Sequence, residues 1–141
     1  MWNPQYTKHS DCVERVQKNF LHHLSYKTGM TKKLCTYEDR LEHFKVNSLA
    51  QRRKQQDCIF LHKLVHGGID SGRLLELVGL NVPRSSNRLH TFRPFYTPRC
   101  RTNVGSSAPI NRVSQSVNNL PTSIHFFGSS TESFKHQIKQ V

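Results

Sequence analysis

The sequence predicts a mostly α-helical fold, an irregular assembly of five or six helices with one long basic loop and at most one short strand pair. Three observations lead there. Apolar residues recur three or four positions apart in successive segments, which gathers them on one helix face. Capping residues and glycine or proline stops bracket those segments. Between 84 and 108 the helical period disappears, and arginines alternate with aromatic rings instead.

Taken in order, residues 1–83 form an N-terminal helical part. Asp11 with Glu14 has the spacing of a capping box, and Val13, Val16, Phe20 and Leu24 form an apolar stripe on the helix that follows. Gly29 ends it, and Lys32 and Lys33 lie in a basic connector. A short helix starts at Thr36, with Asp39 at cap spacing and Leu41 and Phe44 turned inward. The central helix runs from about 47 to 66. Asn47 or Ser48 caps it, and Gly67-Gly68 closes it through the left-handed conformation that glycine enters at little cost. Its first turns are basic and its last are apolar. Asp70 or Ser71 then opens a short leucine-rich helix stopped by Gly79.

Residues 84–108 are the basic aromatic loop, with a short strand or hairpin arm between Leu89 and Tyr96. A structureless loop of this length is unusual in a compact domain and often functional. Residues 109–141 hold two C-terminal helices. Pro109 suits the first helical position. Ile110, Val113, Val117 and Leu120 make the stripe of the first, and Pro121 breaks it. Ile124, Phe126 and Phe127 form an apolar plug. Ser129 with Glu132 reads as the capping box of the last helix, whose stripe is Phe134, Ile138 and Val141. The three parts read as one domain or domain fragment.

Charge carries the first functional argument. Lys and Arg total 21 against 9 Asp and Glu, a net charge of +12 with His neutral, and the isoelectric point is near 10.0. Such an excess favours phosphate backbones or an acidic partner. A hydrophobic fraction of 35% and a mean hydropathy of -0.64 imply a modest core. No apolar run reaches the ~20 residues that span a bilayer, so no membrane partner is expected. The N-terminus lacks a secretory apolar stretch, and the four cysteines form no CxxC pair, so reduced thiols and an intracellular location, nuclear or cytoplasmic, are expected.

Catalytic signatures are absent. There is no GxSxG, HExxH or Walker-type loop, and the carboxylates are scattered. Cys58, His62 and His66 are four apart on the central helix, but no second cluster completes a tetrahedral set, so no metal or other cofactor is assigned. No small-molecule substrate is expected. Arg53 and Asp57 are also four apart and suggest a structural ion pair.

The candidate nucleic-acid contacts are Arg52, Arg53 and Lys54 on the central helix and Arg93, Arg99 and Arg101 in the loop, with Phe92, Phe95 and Tyr96 as stacking rings. Guanidinium groups grip phosphates in a bidentate manner, and aromatic faces stack on unpaired bases. Arg84, Arg88 and Arg112 belong to the same interleaved pattern. The competing arrangement packs the aromatics onto the helices and leaves the arginines in water.

The succession WNPQY, VERVQKNFL, YEDRLEHFKVNSLAQRRKQQDCIFLHKLVHGGID, LLELVGLNVPR, RTNVGSSAPINRV and SSTESFKHQIK resembles the C-terminal part of reverse transcriptases from insect non-LTR retrotransposons, with the nearest likeness to the jockey-like group. The likeness covers nearly the whole chain, in order. His125 and Val104 depart from it, at positions where an acidic and an aromatic residue are common. The resemblance implies the helical tail of an RNA-directed DNA polymerase, a transposable-element product whose magnesium-binding aspartates lie upstream. It also implies RNA or DNA and the upstream polymerase domains as partners. This sequence has no Tyr-x-Asp-Asp match, so the resemblance carries no catalytic residue onto it. Whether the chain by itself belongs to an enzyme stays open. The other readings are an inactive truncated transposon remnant and an independent basic interaction module.

Overall fold

A computed structural model of the chain describes residues 4, 6–29, 36–82 and 93–139. Among them are seven helices: α1 (Thr7–Lys27), α2 (Tyr37–His43), α3 (Leu49–Val65), α4 (Gly72–Glu76), α5 (Asn103–Ser106), α6 (Pro109–Asn118) and α7 (Thr131–Lys139). The described residues contain no strand, only an isolated antiparallel bridge between Leu80 and Phe95. The mostly α expectation holds. The helix that sequence periodicity missed is α5, a single turn too short to show a period. Contacts divide the chain into two compact units, 2–53 and 54–141.

In the unit 2–53, α1 does not bury the stripe read from the sequence. Val16 and Phe20 are 69% and 63% exposed, while Gln17, Leu21 and Ser25 are buried. Polar tethers set this facing. The Gln17 amide donates to the Asn47 carbonyl at 2.9 Å. Glu14 Oε1 accepts from the Tyr37 hydroxyl at 2.6 Å and the Leu49 amide at 3.3 Å. Glu14 is therefore a cross-link between segments, and the expected Asp11–Glu14 cap is replaced by a helix that starts earlier, at Thr7. Burial and the Glu14 carboxylate push the Tyr37 hydroxyl well above its ordinary pKa. The Thr36–Asp39 capping box forms as read, with both reciprocal bonds present. Those bonds from Thr36 hold Asp39 below the usual carboxylate range.

The unit 54–141 holds an apolar core. Cys58, Ile59, Leu61 and Leu64 from α3 meet Val113 and Val117 from α6, Phe134 and Ile138 from α7, and Phe95 and Phe126 from the connecting segments. Ser48 caps α3, its hydroxyl accepting from the Gln51 amide at 3.2 Å. Gly67 adopts φ +72° and lets Gly68 N–H reach the Lys63 carbonyl at 2.7 Å, which closes the helix as expected. Pro109 sits in the first turn of α6. The cap of α7 lies one residue later than read: the Ser130 hydroxyl, not that of Ser129, accepts from the Ser133 amide at 3.3 Å. Glu132 instead pairs with Lys135 at 2.6 Å.

Asp57 is the buried charge of this core, and its partner is not Arg53. Arg112 Nε and Nη2 donate to the two Asp57 oxygens at 2.9 and 3.3 Å. Arg53 Nη2 donates to the Ser10 hydroxyl at 3.1 Å. Helix spacing brings Arg53 and Asp57 within reach, but Asp57 lies on the buried face of α3, where α6 presents a guanidinium in bidentate geometry.

Candidate nucleic-acid interface

Of the basic loop 84–108 the described part is 93–108, and its first residues, 93–95, are anchored by two asparagines. Asn118 at the end of α6 receives the Phe95 N–H on Oδ1 at 3.1 Å and donates through Nδ2 to the Phe95 carbonyl at 2.7 Å. Its side chain thus replaces a neighbouring strand. Asn81 Nδ2 donates to the Arg93 and Phe95 carbonyls at 3.1 and 3.2 Å. Asn81 N–H donates to the Pro94 carbonyl at 2.8 Å, and Tyr96 N–H to the Gly79 carbonyl at 2.9 Å. Extended backbone that would otherwise seek water is held at these points without a sheet.

This anchoring sorts the side chains. Phe95 is 0% exposed and packs edge-on against Phe126 at 5.1 Å between ring centroids. It is a core residue and cannot stack on a base, a correction to its place among the candidate rings. Tyr96 is 56% exposed. A Cβ on Gly79 would stand 3.0 Å from Tyr96 Cβ, so glycine permits the close approach that seats this residue. Phe92, Arg84 and Arg88 lie outside the described residues.

Arg93, Arg99 and Arg101 are exposed and form no ion pair among the described residues. Arg112 leaves the set, since Asp57 holds it. Cys100, between two of the arginines, is fixed by the Asn111 amide at 3.5 Å, and Asn111 also donates to the Gly105 carbonyl at 2.9 Å. The Thr102 hydroxyl caps α5 by accepting from Gly105 N–H at 3.2 Å. Arg99 and Arg101 therefore flank a side chain that Asn111 holds. In the unit 2–53, Arg52 is exposed and Arg53 is half-buried on Ser10. Lys54 is exposed in the other unit.

Beside Pro94 a cavity of about 930 Å³ is lined by Val117, Pro121, Phe126, Phe127, Ser133 and Gln137, among others. Its lining carries no Lys, Arg, Asp or Glu, so it does not extend the basic surface. Cys58 and His62 on α3 and His66 just beyond its end do not gather as ligands. Burial raises the Cys58 thiol to about 12, and the two imidazoles stack face to face at 3.9 Å. No group of three or more His, Cys, Asp or Glu suited to a metal occurs among the described residues. No helix among them is long and apolar enough to cross a membrane.

The residues that sequence reading missed are Asn81 and Asn118. Asn118, just ahead of Pro121, reads only as a helix end, and nothing local marks its bond to residue 95. No family model, curated protein or solved structure matches the chain.

Proposed function

We propose that this chain is a non-catalytic, nucleic-acid-contacting segment of a retrotransposon RNA-directed DNA polymerase, and that residues 93–101 carry the contact. Arg93, Arg99 and Arg101 grip phosphates, and Tyr96 offers a ring face to an unpaired base. One observation supports this above the others. The backbone of residues 93–95 is locked by Asn81 and Asn118, while the side chains of Arg93, Arg99 and Arg101 stay exposed and without acidic partners among the described residues. A preorganised cationic segment loses little conformational entropy on binding. The net charge of +12 supplies long-range attraction. The reverse-transcriptase part of the proposal rests on the ordered sequence resemblance.

Fluorescence anisotropy with a short labelled single strand tests the contact. Binding is expected at low salt, with log K falling against log salt at a slope of about −2 for three phosphate contacts. The Arg93→Ala, Arg99→Ala, Arg101→Ala triple variant is expected to lose most of that slope. Absence of binding at low salt, or a triple variant that binds like the parent, refutes the interface. An in-frame polymerase with a Tyr-x-Asp-Asp motif upstream on an intact transcript tests the origin separately.

A further inference from the structure

The His62–His66 pair is unused by the interface, and its geometry is specific. His62 is fully buried, its ring sandwiched between His66 at 3.9 Å and Phe134 at 4.4 Å, with the edge of Phe126 at 5.3 Å. Its Nε2 faces the Ser129 carbonyl at 3.2 Å, so that nitrogen carries the proton. Its Nδ1 is buried with no hydrogen-bond partner. His66 differs. Both its nitrogens face carbonyls, Nδ1 that of His62 at 2.9 Å and Nε2 that of Phe127 at 3.4 Å. A neutral imidazole has one N–H, so only the protonated ring donates to both.

We propose that this stacked pair is an acid-sensitive latch that holds residues 126–134 against α3 at neutral pH and releases them in mildly acidic solution. His62 is the ring that cannot take a second proton in place. A second proton would sit on the buried Nδ1, which makes no hydrogen bond, and would set a cation against the ring of His66. Burial and His66 lower the His62 pKa below the ordinary imidazole range, outweighing the opposing pull of the Ser129 and Phe126 carbonyls. The elements packed here also carry the ionisable groups Cys58 and Lys63 on α3, His125 in the connecting segment, and Glu132, Lys135 and His136 on α7. Cys58 stays protonated, and Glu132 is paired with Lys135. The sign follows from linkage. The folded ring binds its proton more weakly than the unfolded one, so stability is complete above about pH 6.5. It falls as the pH drops below that value.

The test is amide hydrogen exchange of the full chain at about pH 7.5 and about pH 5.5, corrected for intrinsic rates and referenced to α6. Exchange across 126–134 is expected to accelerate by up to about tenfold between these two pH values, the ceiling set by the one unit between the ordinary imidazole pKa of about 6.5 and pH 5.5. His62→Phe keeps the stacking and cannot titrate, and is expected to abolish the acceleration. An unchanged acid response in that variant, or none in the parent, overturns the latch. Should the variant not fold, the NMR titration of His62 in the parent decides. Protonation that coincides with loss of protection supports the latch, and protonation with 126–134 still protected overturns it.

Discussion

At the scale of single residues, the bonds that matter most join positions far apart in sequence. Asp57 and Arg112 are the example, with side chains 3% and 19% exposed. The two halves of the pair are not equivalent when cut. Arg112→Ala strands a carboxylate deep in the core and is expected to cost about 3 kcal/mol. Asp57→Ala frees a guanidinium that already reaches water and is expected to cost about 1–2 kcal/mol. Urea unfolding of both variants checks the order, and equal costs would show that the pair is not desolvated as described. Asn118 shows the same separation, since its two bonds run to the backbone of residue 95.

At the scale of elements, α1 is where pattern and packing part. An apolar line of Val13, Val16, Phe20 and Leu24 is the ordinary sign of a buried helix face. The helix instead turns so that Glu14 and Gln17 reach Tyr37, Leu49 and Asn47. Leu21 is buried on that side at 1% exposure. Leu21→Ala is therefore expected to cost about 2–4 kcal/mol and Phe20→Ala less than about 0.5. Thermal unfolding of the two single variants measures this, and the reverse order would restore the apolar stripe as the packed face. By contrast, α3 buries its apolar last turns, and α6 buries Val113 and Val117 of the stripe its sequence announces, since both enter the core of 54–141.

At the scale of the whole molecule, charge dominates. Ion pairs join Arg112 to Asp57 and Lys135 to Glu132. Each pair joins one cation to one anion, so the net +12 is untouched by pairing and favours an anionic partner. Contacts from flexible cations to phosphates carry no sequence information. Affinity for single strands of shuffled sequence is thus expected to vary by less than about threefold, and an unrelated polyanion is expected to compete. Competition anisotropy measures both. A strong preference for one sequence would mean that base edges are read, which the described arginines and Tyr96 do not provide for.

The sequence by itself determined the helical class, the cap at Thr36, the α3 cap as Asn47 or Ser48, the glycine stop at Gly67, the proline start of α6 and the basic character of the loop. These depend on neighbours within a turn or two, where side-chain chemistry and backbone sterics act locally. The tertiary structure alone decided that Phe95 is core while Tyr96 is exposed. It also decided that Arg112 belongs to Asp57, that α1 buries Leu21 rather than Phe20, and that His62 lies between two rings. Each of these turns on competition among partners distant in sequence, which residue spacing does not record. The candidate interface was legible as composition. Which of its side chains are available was settled by where Asn81 and Asn118 hold the backbone.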